Sequence, residues 1–321
     1  MLVIARRYGQ LGNRLFLFAH LIAAAKHYGV ALRNPCFAEY AHLFPRMSDD
    51  LWCRYEPDSN VKSSREKTAS RHASPPSLAQ RTRLMHAIEI GTKTLYLARL
   101  REHPFKIIRL SKHDECDLAG NEFESAARSG RVVLLQGWRF RSDAFLMQHW
   151  ASIKDFFSLG VRDRNAVDES LATARRDCDV VVGVHIRRGD YANFMDGRYY
   201  FDDACYARWM HQVREQFPGR KVNFLVCTHE AIDESSFKGL SVFRGPGSAI
   251  GDMYSLAETD VMLGPPSTFT GWASFIGQAP RIELQSAEKS VALPPHVQES
   301  ILSGSIQGKG TVQIVGNRLV G

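Results

Sequence analysis

The sequence has no apolar run near the roughly 20 residues that a bilayer-spanning helix needs. Its opening, MLVIARRYGQ, places a basic pair after a short apolar run, the reverse of a secretory signal. This reading excludes a transmembrane span and a secretory leader, and it predicts a cytoplasmic protein. Cysteine is scattered: Cys36, Cys53, Cys116, Cys178, Cys205 and Cys227 form no C-x-x-C pair, which argues against a zinc cluster or a disulfide framework. No internal repeat is visible. Acidic residues are scarce in one place. Between Lys62 and Lys112 twelve Lys and Arg meet only Glu66, Glu89 and Glu102, so that segment carries +9 in a chain whose total is +7, leaving −2 elsewhere. Such local basicity suits an anionic membrane surface or glycolipid, or simply a solvated helix face. Aromatic residues are little interleaved with it and no nucleic-acid motif is present, so a nucleic-acid partner is not expected.

The chain has 321 residues, 44% of them hydrophobic, which is enough for two cores. MLVIARR reads as a short strand. YGQLGNRLFLFAHLIAAAKHYG follows with Leu15, Phe16, Ala19, Ile22 and Ala23 at helical spacing and Gly29 as the stop, and VALR is a second strand. From about 48 to 76 the pattern dissolves into a polar, basic stretch ending in two prolines, and 77–102 reads as a helix. RVVLLQGW (131–138) is a buried strand, and SDAFLMQHWASI is a helix with Ser142 as its N-cap. A charged helix near 163–176 leads to the expected domain boundary.

The second half alternates more regularly. DVVVGVHI, VNFLVCT, LSVFR, DVMLG and PRIEL are short, continuously apolar strands separated by helical patterns. That is the signature of a parallel sheet covered on both faces. The fold class is therefore α/β, with two Rossmann-like domains and a cleft between them. The expected domains are 1–176, carrying a basic insert at about 48–112, and 177–321.

One stretch raises a chemical question. DVVVGVHIRRGDY runs from a buried strand straight into Arg187, Arg188, Gly189 and Asp190. Ligands of open parallel sheets bind beyond the carboxyl ends of the strands, and Arg offers a fixed fork of donors suited to phosphate. A diphosphate at this strand end accounts for the pair; carboxylates or carbonyl groups at a domain interface would also satisfy it. The tripeptide Arg188-Gly189-Asp190 is also an adhesion sequence, but it abuts a buried strand. Other strand ends repeat the theme. Gly12 and Asn13 open the first helix at a glycine turn. Thr228 ends one strand, and Ser267, Thr268 and Phe269 follow another, with Ser267 also a plain N-cap candidate. Three donor-bearing strand ends together favour a nucleotide.

Four segments in order carry a resemblance. GQLGNRLFLFAHLIAAAKHYG resembles the opening of the alpha-1,2-fucosyltransferases, HIRRGDY resembles that family's most specific motif, and LQGWRFRSDAF and GDMYSLAETDVMLGPPSTFTGWASFIG are similar to two further segments. The resemblance implies a fold of the two-Rossmann GT-B type, GDP-fucose as donor substrate and no metal or other cofactor. It implies that one or both of Arg187 and Arg188 bind the donor diphosphate, that His185 and Asp190 shape that pocket, and that Asp252, Ser267 and Thr268 contact GDP. Asn13 matches an asparagine at the donor–acceptor junction. The chain departs from the family at Arg14, where Gln is usual, at WRFRS, and at GPPSTFTGW, which lacks the usual Asn.

The implied activity is inverting transfer of fucose to a hydroxyl of a glycan, alpha-1,2 to galactose in a bacterial surface polysaccharide such as an O-antigen. The acceptor would then be lipid-linked at the inner membrane face, where the 62–112 segment would make peripheral contact. Metal-dependent sugar-nucleotide enzymes set an Asp-x-Asp after a strand; here the one such pair, Asp177 and Asp179, precedes a strand, so arginine is the expected charge sink for the leaving group. Asp190 and Asp196 are the nearest carboxylates for a general base. The alternatives are a nucleotide- or carbohydrate-binding protein without turnover, and a transferase using another GDP-sugar.

Overall fold

A computed structural model describes residues 1–57 and 74–303; Lys62, Arg65, Lys67, Arg71 and the tail from 304 lie outside them. The chain divides into two compact units, Met1–Gly160 and Val161–Gly321.

The first unit holds β1 (Leu2–Ile4), α1 (Leu11–Tyr28), β2 (Leu32–Arg33), α2 (Pro45–Ser48), β3 (Arg54–Tyr55), α3 (Leu78–Leu97), β4 (Lys106–Arg109), β5 (Cys116–Asp117), α4 (Asn121–Arg128), β6 (Val133–Gln136), β7 (Phe140–Arg141), α5 (Asp143–Gln148) and α6 (Trp150–Phe156). Its main sheet has the order β3-β2-β1-β6-β4. All pairs are parallel except β2 with β3. Helix α1 is apolar on nearly every side, so 15 of its 18 residues are buried, and Gly29 closes it in the left-handed region at φ 67°.

The segment expected as an insert is part of this sheet. Residues 48–112 supply both edge strands, β3 and β4. The sequence pattern hid them because each is short and half-exposed, with Lys or Arg among its residues, as edge strands often are. The basic segment is not one charged face either. Arg81 is buried, and its guanidinium donates to the carbonyls of Asp50, Met47 and Ser48 at 2.7, 3.1 and 2.5 Å. It clamps α3 to the turn after α2. Ser77 caps α3 in a reciprocal capping box with Gln80.

The second unit holds α7 (Val161–Ala174), β8 (Val180–His185), α8 (Asp203–Glu215), β9 (Val222–Cys227), β10 (Ser241–Arg244), α9 (Ala249–Ala257), β11 (Val261–Gly264), α10 (Thr268–Gly277), β12 (Arg281–Glu283) and α11 (Pro295–Leu302). The sheet order is β10-β9-β8-β11-β12, all parallel. Every residue of β8 and β9 is buried. Trp209, Phe224, Phe217 and Tyr206 form the core against the sheet; fully burying one large apolar side chain contributes about 1.5–3 kcal/mol.

The domain boundary expected at 176 lies earlier, at Gly160. Helix α7 belongs to the second unit because its own groups hydrogen-bond there. Ala174 O accepts from Asn223 Nδ2 at 2.8 Å, Ser170 Oγ donates to Arg244 O at 3.0 Å, and Arg164 pairs with Glu258. Among the described residues no helix is long and apolar enough to cross a membrane.

Candidate active site

The strand order of the second unit reverses at β8. From it the chain moves outward to β9 and β10, then returns to β11 on the other side. A crevice opens at such a point beyond the carboxyl ends of the strands. The residues after β8 and β11 occupy it, and Tyr191 ties them together: its hydroxyl donates to Pro266 O at 2.6 Å.

The two arginines after β8 differ in role. Arg188 is desolvated, and its side chain and that of Asp203 are 11% and 14% exposed. It pairs with Asp203 and donates to Phe201 O at 3.0 Å. Asp203, in the first turn of α8, also accepts from Asp233 N at 2.8 Å. Arg188 therefore fixes the loop by binding a carboxylate and a carbonyl, the outcome weighed against diphosphate binding. Arg187 lies over the Tyr191 ring, 4.5 Å from its centroid, and meets Asp190 with Nε at 3.1 Å and Nη2 at 2.8 Å. Asp190 is 58% exposed. Its partnership with Arg187 holds its carboxyl below the usual value, which makes it a weak base and a replaceable counter-ion. Arg187 is thus the arginine whose partner an incoming phosphate can displace.

His185, at the end of β8, is buried and stacks on Phe269, with ring centroids 4.5 Å apart and planes 16° apart. Burial, with Arg187 and His229 nearby, lowers its pKa to about 3, so it is neutral. Its Nδ1 has no partner among the described residues. Phe269, expected to line a base pocket, is half-buried and packs one face of its ring on His185.

A second feature lies at the ends of β9 and β10. A cavity of about 360 Å³ is lined by Thr228, His229, Glu230, Ala231, Arg244, Gly245, Gly247, Asp252 and Val226. Asp252, in the first turn of α9, is 2% exposed. Its Oδ1 accepts from Gly247 N at 2.8 Å, and no donor among the described residues reaches Oδ2. Burial raises its pKa, against the opposing pull of the Gly247 N–H and of His229. Glycine is called for at two positions of the loop before α9: a Cβ on Gly245 would come within 2.7 Å of Asp252 Oδ1, and Gly247 has φ +80°. Glu230 joins the cavity to the arginine loop, since Gly189 N donates to its Oε1 at 2.5 Å.

The remaining predicted residues fall as follows. Thr228 lines the cavity, and its hydroxyl accepts from Glu230 N at 3.2 Å. Ser267 is the N-cap of α10, accepting from Thr270 N at 3.2 Å, and Arg281 donates to its carbonyl at 3.2 Å. Thr268 is the first residue of α10. Asn13 and Gly12 belong to the first unit. Gly12 is already inside α1, and the turn glycine is Gly9, at φ +60°; a Cβ there would sit 2.2 Å from Asn13 Nδ2. Arg14, the departure from the resembling family, is buried. It donates to Gly9 O at 3.1 Å and Cys36 O at 3.3 Å and pairs with Glu39 at 2.9 Å, fixing the turn that carries Asn13. Sequence reasoning missed Asp203, Glu230 and Gly247. A carboxylate in a helix first turn and a glycine before a helix signal a cap or a turn, not a partner distant in sequence.

Residues 129–292 match glycosyl transferase family 11. That is half of the chain, and the chain belongs to this family; it is a glycosyltransferase. The matched region includes Arg187, Arg188, Asp252 and Ser267. Solved structures similar to it include a mutant of FUT1 from Arabidopsis thaliana in complex with GDP, 13% identical, covering 89% of this chain and 72% of that one with a TM-score of 0.52. The fucosyltransferase NodZ from Bradyrhizobium is 17% identical, covering 88% of this chain and 94% of that one with a TM-score of 0.49. The likeness to FUT1 is one of fold. No curated protein matches the chain.

The two arginines are expected to separate in a melting experiment. Arg188→Ala strands the desolvated Asp203 and should cost about 3 kcal/mol of stability. Arg187→Ala frees an exposed carboxylate and should cost under about 1 kcal/mol. Equal losses in Tm would show that the two roles are not divided. Asp252 yields a pH test. Its raised pKa means that the folded protein holds the proton more tightly than the unfolded chain, so its charge lowers stability as pH rises through that value. Asp252→Asn keeps an acceptor for Gly247 and carries no charge. It should melt at or above the wild type at pH ~7, with the advantage lost below the ordinary value of 3.8. A variant melting well below wild type at neutral pH contradicts this.

Proposed function

We propose that the protein transfers fucose from GDP-fucose to a hydroxyl of an acceptor glycan, with inversion and with arginine in place of a metal. The observation that carries this reading is the buried Asp252 carboxylate, with one oxygen unclaimed, in a cavity beside the arginine loop. Guanine presents N1–H and its 2-amino group side by side, a pair of donors that a carboxylate accepts; adenine and uracil do not. Arg187 would lie along the diphosphate in place of its exposed partner Asp190. As the glycosidic bond breaks, charge grows on the β-phosphate oxygen, and a guanidinium positioned beforehand stabilises that charge more in the transition state than in the ground state. The sugar then has oxocarbenium character and is attacked by the acceptor oxygen on the opposite face. Family membership and the GDP in the FUT1 structure support the donor class. An alpha-1,2 linkage to galactose of a bacterial surface polysaccharide is our reading of the motif resemblance.

GDP is expected to raise Tm where ADP and UDP do not, and Asp252→Asn should lose that selectivity. Arg187→Ala should lower kcat/KM for transfer from GDP-fucose by about two to three orders of magnitude, and Lys should rescue it poorly because the fork is lost. Excess EDTA should leave turnover unchanged. Equal response to all three nucleotides would remove the guanine assignment; loss of activity in EDTA, restored by one metal, would remove the arginine-only mechanism.

We also propose that α3 makes peripheral contact with an anionic membrane, where a lipid-linked acceptor would be met. On α3 and in the turn that follows it, Ile90, Leu97 and Leu100 are 65%, 67% and 47% exposed, and Arg83, Lys93 and Arg99 are exposed as well. Each basic residue near such a surface contributes about 1 kcal/mol. The protein should co-sediment with anionic but not neutral vesicles, less so at high salt. Arg83→Glu, Lys93→Glu and Arg99→Glu together should abolish binding, and absence of binding at low salt would refute the contact.

A further inference from the structure

The first unit has its own crevice at the carboxyl ends of β1, β6 and β4. A cavity of about 520 Å³ there is lined by Arg6, Tyr8, Tyr96, Arg109, Leu110, Ser111, Lys112, Asp114, Gly137 and Trp138. Two features of its chemistry stand out.

The first is uncompensated positive charge. Arg6, Arg109 and Lys112 form no ion pair among the described residues, whereas Arg7 and Arg14 share Glu39, Arg46 pairs with Asp155, and Arg139 with Glu115. The one carboxylate in the lining, Asp114, accepts from Ser111 N at 2.9 Å instead of from a cation. Arg6 and Arg109 converge, since both act on the half-buried Tyr8 hydroxyl and oppose the rise that burial gives its pKa. The second feature is aromatic surface. Tyr96 lies near Arg101 and Arg109, at 4.1 and 4.6 Å from its centroid, and Trp138 lies near Arg141 at 5.5 Å. Both rings line the cavity, and aromatic surface presented to it suits the C–H side of a pyranose, while the cations around them attract an anion. A neutral sugar would leave three positive charges unanswered.

We propose that this crevice is a subsite for an acidic sugar of the acceptor glycan, one that carries a carboxylate or a phosphate. The inference rests on the glycosyltransferase reading and adds the class of acceptor. Arg109 would take the anion with Arg6 and Lys112, and Tyr96 or Trp138 would stack on the ring. Part of the +9 segment then has a specific ligand, separate from the exposed residues of α3.

Ligand-observed NMR on the full chain tests this with four probes: methyl β-glucuronide, galactose 6-phosphate, methyl β-glucoside and inorganic phosphate. One or both acidic sugars should bind, and which one does so separates carboxylate from phosphate as the source of charge. The neutral glucoside should bind at least about tenfold more weakly, as expected for losing a hydrogen bond to a charged group. Arg109→Ala and Arg6→Ala should each weaken the acidic sugar by a similar factor and leave the GDP-induced Tm shift unchanged. Tyr96→Phe should bind normally and Tyr96→Ala poorly, which identifies the ring face. Equal binding of the glucoside, or inorganic phosphate binding as well as the phosphosugar, overturns the proposal. So does a normal GDP response with no acidic sugar bound, a result that leaves the donor reading intact. A missing GDP response with acidic-sugar binding lost in Arg109→Ala overturns the donor reading alone.

Discussion

The ion pair between Arg188 and Asp203 is the constraint on which the loop after β8 depends. It is drawn out of water, and Asp203 is shared with the backbone of Asp233. One carboxylate therefore joins the end of β8, the start of α8 and the loop after β9. Breaking such a pair leaves an uncompensated buried charge, so the loop is held in one arrangement. That arrangement places Arg187 over Tyr191, whose hydroxyl reaches Pro266 beyond β11. Two adjacent arginines thus divide the work. One is consumed in holding the loop, and the other is left with only an exposed, exchangeable partner.

The electrostatics of the second unit follow a single pattern, in which charge is kept out of solvent only where a fixed donor meets it. Asp252 is buried with one oxygen answered by Gly247 and its pKa raised. His185 is buried, stacked and neutral. Both are costs to the fold: burial opposes the charge of Asp252, and His185 Nδ1 has no partner among the described residues. Such costs are common where a ligand supplies what the fold omits. Gly245 serves the same end by letting the backbone approach the carboxylate, where a Cβ would come within 2.7 Å of Oδ1.

The first unit uses its arginines differently. Arg14 and Arg81 are interior fasteners whose guanidinium groups satisfy carbonyls of turns. A turn carbonyl that lacks a ladder partner needs such a donor when it is buried. Arg6, Arg109 and Lys112 stay uncommitted around the aromatic crevice. A count of basic residues along the chain cannot separate these uses, because guanidinium groups in a turn, on a surface and in a crevice have the same composition.

Much of this was legible in the sequence. The continuously apolar strands of the second half, the helix stop at Gly29, and the Ser142 and Ser267 caps are local matters, decided within a few residues by burial pattern and capping chemistry. The position of Arg187 at a strand's carboxyl end was readable for the same reason. Tertiary structure decided what depends on partners far apart in the chain. KIIR became an edge strand only because β6 lies beside it. The helix at 161–174 joined the second unit through Asn223 and Arg244, about 50 or more residues away. Asp203 gave Arg188 a desolvated partner that Arg187 lacks, and His185 gave the Phe269 ring a face to stack on. Periodicity records which face of an element is buried; it carries no record of which distant side chain will be waiting there.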